Sequence, residues 1–313
     1  MYQPTRRQFL TQTAAATAGL LSISPRLPAQ ESEKPAQLSI ARWKLPTEPP
    51  EEEIGRMAVR LTEQALVNLG GMTRFVKRGD VVWIKPNIGF DRGPKFGANS
   101  NPDVIATLVR LCFDAGAKKV RVGDNSCYGS QKAYPASGIE GPVKAVGGEI
   151  VYLEPARFKL MKVGGERIRE WLVSQDMIES DVMINAPIAK RHAMTNVSLC
   201  FKNYMGVVDG PRSEWHSDMP TCLTDIAAFM KPRITVLDAV RTLLKNGPLG
   251  MALSDTKLTG VVAAGTDIVG LEAFGAELLG QDPSKGKTMA LAQQRGLGQI
   301  AYRNFPLREQ ELT

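Results

Sequence analysis

The sequence has few cysteines, and none are spaced to form a metal-binding pair. The four are Cys112, Cys127, Cys200 and Cys222, and no two form a Cys-x-x-Cys motif. Zinc ribbons and ferredoxin-type iron–sulfur sites need neighbouring thiolates, because several sulfurs must converge on one metal. The spacing therefore argues against an iron–sulfur cluster. Cys112 and Cys200 lie in apolar runs typical of a core, whereas Cys127 lies in a predicted loop as a candidate ligand or nucleophile.

Other patterns are absent as well. No block of Lys and Arg stands out, so nucleic acid is not expected as a partner. No glycine-rich fingerprint follows a strand, which argues against a nucleotide-binding fold of the usual kind. After the first 29 residues no segment is apolar enough to cross a bilayer, so no stable membrane anchor is expected. The two histidines, His192 and His216, lack the His-x-x-x-His spacing of a helical metal site.

The first 29 residues have the pattern of a twin-arginine export signal. Arg6 and Arg7 precede Phe9, an alanine-rich apolar run covers residues 14–23, and a small-residue exit ends near Ala29. The run is far shorter than the roughly 20 residues that span a bilayer, and such a signal is an address and not an anchor. The pattern predicts the twin-arginine translocase as an export partner and a periplasmic or otherwise exported protein. An ordinary secretory signal with a chance Arg-Arg pair is the alternative.

The rest of the chain is mildly basic and long enough for a large core. Removing the three arginines of residues 1–29 from the 39 basic residues leaves 36, against 32 acidic ones. The predicted domain covers residues 30–313, as one body or as two lobes at about 38–155 and 180–280.

Short apolar runs alternate with amphipathic stretches along the chain. We predict strands at 38–45, 81–84, 120–122, 150–153, 182–185, 234–237 and 258–264, and helices at 51–69, 102–115, 139–146, 196–208, 223–230 and after Thr266. Asn101 is the expected cap of the second helix. Residues 158–163 and 167–172 predict a β-hairpin, and the chain after Asp282 predicts a helix followed by coil. The order indicates an α/β fold with a mainly parallel sheet covered by helices and an inserted β-hairpin.

Polar residues follow several of the predicted strands. They are Lys85, Asn87, Asp124, Asn125, Lys190, His192, Asp238 and Asp267. In open parallel sheets, ligands bind beyond the carboxyl ends of the strands, so we expect many of these side chains to meet in one pocket. The alternative is that Asp and Asn residues cap the next helix or turn.

Lys202 interrupts an apolar stretch from residue 197 to 208. A buried lysine needs an anionic partner, for which Asp124, Asp238 and a ligand are the candidates; a surface lysine with a buried stem is the alternative. In the predicted helix, Asn196 and Asn203 would share a face. The candidate roles are as follows: catalytic, Lys85, His192 and Lys202; substrate-binding, Asn87, Lys190 and Asn203; metal-binding, Asp124, Asp238 and His216.

A series of motifs gives the chain a family resemblance. In order they are Ile84-Lys85-Pro86-Asn87, Asn101-Pro102, Ala115-Gly116-Ala117 leading to Gly123-Asp124, Ser137-Gly138-Ile139, Ala189-Lys190-Arg191-His192, Phe201-Lys202-Asn203-Tyr204-Met205-Gly206 and Leu237-Asp238-Ala239. Over residues 38–280 the chain resembles domain-of-unknown-function family 362. The resemblance implies an α/β domain. Many members of the family carry an added ferredoxin-like iron–sulfur domain, from which this chain departs because its cysteines are not clustered.

Three functions fit these patterns. The first is an exported enzyme that acts on a small anionic molecule, with a divalent metal or a preloaded cofactor as an open option. The second is a non-catalytic protein that binds a metal, cofactor or anion. The third is a structural or assembly factor of the cell envelope. The Lys190-x-His192 segment and the acidic strand ends also give the family a remote analogy to the nickel-pincer lactate racemases.

Overall fold

The computed structural model describes residues 36–47 and 49–313. The predicted twin-arginine signal, residues 1–29, lies outside the described residues. Within the described ranges, no helix combines the length and the apolar character that a membrane span requires.

The described chain contains strands, α-helices and short 3-10 turns. The strands are β1 (Leu38–Trp43), β2 (Val81–Pro86), β3 (Lys119–Val122), β4 (Glu149–Ile150), β5 (Phe158–Lys162), β6 (Glu170–Ser174), β7 (Val182–Ala186), β8 (Ile188–His192), β9 (Asn196–Ser198), β10 (Ile234–Leu243), β11 (Thr256–Gly265) and β12 (Leu307–Leu312). The α-helices are α1 (Glu51–Asn68), α2 (Pro102–Asp114), α3 (Ser130–Ser137), α4 (Glu140–Ala145), α5 (Gln175–Ile178), α6 (Met219–Met230), α7 (Ile268–Leu278) and α8 (Lys287–Gln294). The 3-10 turns nearest the site are Lys202–Val207 and Arg212–Ser217.

The main sheet has ten strands and is mostly parallel. Its central order is β12-β1-β11-β10-β7-β2-β3-β4, and β8 pairs with β10 and β9. Strands β10, β7, β2, β3 and β4 run parallel to their neighbours in that series, whereas β11 runs antiparallel to both β1 and β10. Strands β5 and β6 form a separate antiparallel hairpin. The predicted α/β class, the mainly parallel sheet and the inserted hairpin are therefore confirmed. Strands from both of the stretches 38–155 and 180–280 lie in this one sheet.

Helices cover both faces of the sheet because alternate strand residues point to opposite sides. In β2, Val82 and Ile84 pack with α1 and α2, whereas Trp83 packs in a second cluster with α6, α7 and α8. Helix α2 begins as predicted, since the Asn101 side chain accepts hydrogen bonds from the backbone N–H groups of Asp103 and Val104. The buried strand residues thus fix the sheet between two helical layers.

The predicted helix at 196–208 is wrong. This stretch contains the short strand β9 followed by the 3-10 turn Lys202–Val207, so Asn196 and Asn203 share no helix face. Its apolar residues are buried because the segment passes between the sheet and the helices of the second cluster, with Phe201 fully buried. A buried loop and a buried helix give the same apolar run in a sequence.

The predicted end of the chain also differs. Helix α8 is followed by β12, which pairs in parallel with β1 along Leu38–Trp43. The sequence of β12 is polar, and its burial is low. Its place in the sheet comes from main-chain pairing that covers the edge of β1, which a search for alternating apolar residues does not detect.

Candidate functional site

A half-open cavity of about 360 Å³ lies beyond the carboxyl ends of β2 and β3 and beside β8. We call this cavity the site pocket. It brings together most of the predicted site residues, namely Lys85, Asn87, Asp124, Lys190, His192, Lys202, Asn203 and His216. Asp238 is not part of its lining. The carboxyl edge of the sheet therefore holds a pocket lined by side chains from separate stretches of chain, as parallel-sheet topology predicts.

The floor of the site pocket is a buried ion pair between Lys85 and Asp124. The Lys85 Nζ atom lies 2.7 Å from Asp124 Oδ1. It also donates to the carbonyl of Pro86 (2.7 Å) and to Asn203 Oδ1 (2.9 Å). These three contacts use all the hydrogens of an ammonium group. Burial lowers the pKa of Lys85, and the Asp124 carboxylate opposes this shift.

Asp124 is held in place from two sides. Its Oδ2 atom accepts a hydrogen bond from the backbone N–H of Ile88 (2.7 Å). Its own backbone N–H donates to the Tyr134 hydroxyl (2.7 Å), which in turn donates to the Asp124 carbonyl (2.8 Å). Both the carboxylate and the main chain of Asp124 are therefore fixed, which makes the ion pair a rigid element of the fold.

Gly206 allows the 3-10 turn Lys202–Val207 to lie directly on this ion pair. A Cβ atom at position 206 would lie 1.7 Å from Asp124 Oδ1 and 2.8 Å from Lys85 Nζ. No side chain fits there without displacing the carboxylate. The backbone of the turn also pairs with the next loop, since the Asn125 N–H donates to the Gly206 carbonyl (3.0 Å).

Asn203 connects this turn to β2 and β7. Its Oδ1 atom accepts from Lys85 and from Asn87 Nδ2 (3.3 Å). Its Nδ2 group donates to the Lys85 carbonyl (3.1 Å) and to Asn185 Oδ1 (2.8 Å). Two donated and two accepted bonds fill the capacity of a side-chain amide. The amide of Asn203 therefore positions the turn, and it offers no spare hydrogen bond for the predicted contact with substrate.

Lys190 is a buried lysine held by neutral groups. Its Nζ atom donates to Asn87 Oδ1 (2.8 Å) and to the carbonyl of Ala98 (2.5 Å), and it lies 4.7 Å from the centre of the Phe90 ring. In the described residues no carboxylate forms an ion pair with it. Burial lowers the pKa of Lys190 to about 7. An anion entering the site pocket would favour its charged form.

Lys202 differs from both of these lysines because its amine has almost no protein partner. Among the described residues, its Nζ atom contacts only the Met205 sulfur (3.3 Å), and its side chain is half-buried. Burial lowers the pKa of Lys202 to about 8. Of the three predicted partners, Asp124 and Asp238 are wrong, because Lys85 and backbone N–H groups respectively occupy them. A ligand is the remaining candidate.

The two histidines, His192 and His216, differ in their surroundings and in their exposure to solvent. The Nδ1 atom of His192 accepts the backbone N–H of Met194 (3.1 Å), which places the proton of the neutral ring on Nε2. Burial, with the nearby cations Lys202 and Lys190, lowers the pKa of His192 to about 3. His192 is therefore a neutral hydrogen-bond donor at pH 7 and a weak base. His216 is exposed, and its Nδ1 atom lies 2.8 Å from the Ser213 carbonyl.

Two of the predicted metal ligands, Asp124 and His216, line the site pocket, but the third, Asp238, does not. Asp238 is buried in β10, and its carboxylate accepts the backbone N–H groups of Asn101 (2.7 Å) and Val240 (3.0 Å). It ties the start of α2 to the sheet, which is the capping role considered as the alternative. Burial raises the pKa of Asp238 to about 6. In residues 36–47 and 49–313, no cluster of three or more His, Cys, Asp or Glu side chains is arranged to hold a metal ion.

Arg212 is a pocket residue that the sequence analysis missed. Its Nη1 group donates to the carbonyls of Asn125 and Met205 (2.9 Å each), which anchors the guanidinium beside the cavity. Its remaining N–H groups have no partner in the described part of the chain. Arg212 follows a Gly-Pro turn and no strand, so the rule that finds residues at strand ends does not select it. The exposed thiol of Cys127 also lines the pocket.

The site pocket is positively charged. Its lining contains the cationic side chains of Lys85, Lys190, Lys202 and Arg212 but, in the described residues, a single carboxylate, that of Asp124. Asp124 is already paired with Lys85, so the other three cations have no acidic partner in the lining. This arrangement suits a small anion, and the half-open mouth gives it access.

Comparison with known proteins agrees with the motif order. A family model described as a domain of unknown function, DUF362, matches residues 82–277. The chain belongs to the DUF362 family. It is 29% identical over 249 residues to the thylakoid-associated protein sll1697 of Synechocystis sp., a match that covers 76% of this chain and 75% of the relative.

Two solved structures are also similar to this DUF362 chain. One is the lactate racemase apoprotein of Thermoanaerobacterium thermosaccharolyticum, with a TM-score of 0.48, 12% identity and coverage of 76% of this chain and 61% of that one. The other is a structural-genomics protein of Thermotoga maritima, with a TM-score of 0.35, 12% identity and coverage of 80% and 60%. The chain thus spans less than two thirds of either solved chain.

The cations of the site pocket all lie within the residues that match DUF362. Lys85, Lys190, Lys202 and Arg212 fall between positions 82 and 277, whereas β1 and β12 fall outside this range. The DUF362 segment therefore contains both the parallel centre of the sheet and the charged pocket. Strands β1 and β12, which lie outside the match, form the side of the sheet that is farthest from β4.

Proposed function

We propose that this DUF362 chain is an exported enzyme that acts on a small anionic substrate in the site pocket. One observation supports this most strongly. Three cationic residues of the lining, Lys190, Lys202 and Arg212, have no acidic partner among the described residues. Desolvated positive charge is costly unless it is compensated, and a bound anion supplies the compensation.

The groups in the pocket suit acid–base chemistry near neutral pH. The free N–H groups of Arg212 can bind a carboxylate or phosphate through two parallel hydrogen bonds. Lys202, with its lowered pKa, can exchange a proton with the bound anion at neutral pH. Neutral His192 can donate a hydrogen bond through Nε2. We assign no step to a metal, because the described residues contain no group of three metal-binding side chains.

Calorimetric titration tests the binding step. Small carboxylates and phosphate esters are titrated into the wild type, Arg212→Met and Lys159→Met. The last is the control, because Lys159 is exposed on the hairpin far from the pocket lining. Loss of a charge-assisted hydrogen bond is worth about 1.5–3 kcal/mol, so Arg212→Met is expected to weaken binding about tenfold or more. Equal affinities in all three proteins, or no binding of any anion, would refute the proposal.

Turnover separates the enzyme from the non-catalytic binding protein. Anions that bind are incubated with the wild type and followed by proton NMR for exchange or conversion. Conversion that is lost in Lys202→Met supports the enzyme. Tight binding with every compound recovered unchanged instead favours the binding protein, which would use the same pocket without reaction.

Export is the second part of the proposal. It rests on the arginine pair Arg6-Arg7 with the apolar run and small-residue exit that follow. The experiment compares cell fractions for the wild type and for the double variant Arg6→Lys, Arg7→Lys. The variant is expected to remain in the cytoplasm, because lysine keeps the charge but not the twin-arginine address. Undiminished accumulation of the variant outside the cytoplasm would contradict this part.

A further inference from the structure

We infer that Lys202 forms a covalent imine with its substrate, and that the substrate is therefore a small oxo-carboxylate, an anion that also carries a ketone or aldehyde. The inference rests on the proposed function, since the anion must first bind in the site pocket. It adds the chemical class of the substrate and the atom that reacts with it.

Contacts within the site pocket distinguish Lys202 from the two other lysines. The Lys85 ammonium is used fully by Asp124, Asn203 and a carbonyl. The Lys190 ammonium is used by two oxygen acceptors and by the Phe90 ring. Lys202 contacts only a thioether sulfur, which is a weak acceptor. Its amine is thus the one that can leave its protein contact and approach a ligand at little cost.

Accessibility points the same way. Lys85 and Lys190 are 0% and 1% exposed, so a carbonyl carbon cannot reach either nitrogen without movement of the floor of the pocket. Lys202 is half-buried and lines the cavity. A molecule that enters through the open mouth therefore meets the Lys202 amine before it meets the buried lysines.

The nucleophilic form of Lys202 is available near neutral pH. Burial lowers the pKa of this lysine to about 8 from its ordinary value of 10.5. About half of the amine is then unprotonated at pH 8, compared with well under about 1% for an ordinary lysine. A desolvated lysine beside other cations is the usual setting for imine formation with carbonyl substrates.

Arg212 accounts for the anionic part of the substrate. Its Nη1 group is fixed by the carbonyls of Asn125 and Met205, so the guanidinium is oriented before a ligand arrives. Met205 is also the residue whose sulfur contacts Lys202. The guanidinium and the amine thus contact the same residue and line the same cavity, so one small ligand that carries both a carboxylate and an oxo group suits this pocket.

The reaction balances without an oxidant or a metal. The lone pair of the Lys202 nitrogen attacks the carbonyl carbon and forms a C–N bond, while the carbonyl oxygen takes up a proton from solvent. The nitrogen loses a proton, which gives a neutral carbinolamine. Protonation of the hydroxyl and loss of water then form the C=N bond of a protonated imine. Loss of its N–H proton to solvent gives the imine, so the overall change is amine plus carbonyl to imine plus one water.

Reductive trapping tests the inference on the purified chain. The protein is incubated with pyruvate, glyoxylate or 2-oxoglutarate near pH 8 and treated with sodium borohydride, which converts an imine to a stable secondary amine. Intact mass measures the yield, and peptide mapping locates the adduct. We expect one adduct, on Lys202. A thiohemiacetal on Cys127 would not survive this treatment as a mass increase, so the two nucleophiles are distinguished.

Variants separate the reacting amine from its surroundings. Lys202→Arg keeps the positive charge but lacks the nucleophile, and it is expected to abolish the adduct. Lys159→Met, at an exposed lysine on the hairpin, should leave the yield unchanged. Arg212→Met should lower the yield with pyruvate about tenfold at limiting probe, but should not change the yield with acetone, which has no carboxylate. Unchanged thermal unfolding of Lys202→Arg shows that the loss is not a loss of fold.

The outcomes separate this inference from the proposed function. If the oxo-acids bind by calorimetry but give no adduct, or if the adduct persists in Lys202→Arg, the imine is refuted while the anion site stands. If neither oxo-acids nor unreactive anions such as lactate bind, the inference fails together with the proposed function.

Discussion

Gly206→Ala should destabilise the protein far more than a typical glycine substitution. The new methyl group would lie 1.7 Å from Asp124 Oδ1 and 2.8 Å from Lys85 Nζ. The ion pair it strikes is almost fully buried, with side-chain exposures of 0% for Lys85 and 3% for Asp124. Asp124 cannot simply rotate away, because Oδ2 is held by the Ile88 N–H. Either the carboxylate or the 3-10 turn must move.

The magnitude follows from the cost of separating a buried pair. Breaking a buried ion pair costs about 3–5 kcal/mol, because one charge is left without compensation. We therefore expect Gly206→Ala to lower the free energy of unfolding by about 3 kcal/mol or more. Urea denaturation followed by circular dichroism measures this change, with an unchanged slope as evidence that the unfolding reaction is the same.

Gly141→Ala provides a matched control. Gly141 lies in α4, and a Cβ atom there meets nothing within 4 Å. That substitution should stabilise the protein by up to about 1 kcal/mol, because alanine favours the helix. A double-mutant cycle adds a sharper test: in an Asp124→Ala background the clashing carboxylate is gone and only the contact with Lys85 remains, so Gly206→Ala should cost less than in the wild type. If Gly206→Ala is no more destabilising than Gly141→Ala in the wild type, or if its loss is equal in both backgrounds, the role assigned to Gly206 is refuted.

Three further substitutions test the polar contacts around the site by urea denaturation. Asn101→Ala should cost about 1 kcal/mol, because it removes the side chain that accepts two N–H groups at the start of α2; no change would show that the cap is dispensable. Burial raises the pKa of Asp238 to about 6 from 3.8, so the folded chain retains a proton that the unfolded chain releases, and the contribution of this group to stability should fall by about 2 kcal/mol between pH 4 and 6. The stability difference between the wild type and Asp238→Asn should therefore decrease over this pH range, and a pH-independent difference would contradict the assignment. Burial lowers the pKa of Lys190 to about 7 from 10.5, so here the unfolded chain holds the extra proton, and the wild type should gain stability relative to Lys190→Met as the pH rises from about 7 towards 10. A difference that does not vary with pH would refute this interpretation.

The parallel centre of the sheet was predictable because each of its strands carries its own signal. Residues 81–84 and 234–237 are apolar except for Thr235, and all but Val81 are buried; such runs are typical of strands covered by two helical layers. The Asn101-Pro102 start of α2 is equally local, since the cap and the first turn are adjacent in the chain. Elements defined by contacts between distant segments were not predictable. The polar strand β12 owes its place to main-chain pairing with β1, 260 or more residues away.

The candidate site was likewise predictable where the signal is local and not where it depends on contacts between distant segments. The rule for parallel sheets located Lys85, Asp124 and Lys190 at one edge from the sequence alone. The rule could not tell which lysine pairs with Asp124. Lys85 and Lys202 each interrupt an apolar run, so the sequence around one resembles the sequence around the other. The choice depends on which lysine faces Asp124, and that is set by the path of a turn that contains no regular helix or strand. The rule missed Arg212 for the same reason, since this residue lies in the 3-10 turn Arg212–Ser217 and not at the end of a strand.

The site pocket contains two kinds of polar side chain: those held by contacts within the protein, and those with hydrogen-bond donors that a ligand can use. The Lys85 ammonium contacts Asp124, Asn203 and the Pro86 carbonyl, so a ligand would have to break buried contacts to use it. Lys202 and Arg212 have unused donors and stand on the turns that the floor holds in place. Loss of Lys85 would therefore change activity through the position of the 3-10 turn, and it would lower stability at the same time. Loss of the Lys202 amine removes a reacting group from a pocket that is otherwise intact, so activity can fall while stability is kept. Lys85, predicted to be catalytic from its place at a strand end, is thus better assigned as the anchor of the turn, and the proposed function assigns the chemistry to Lys202.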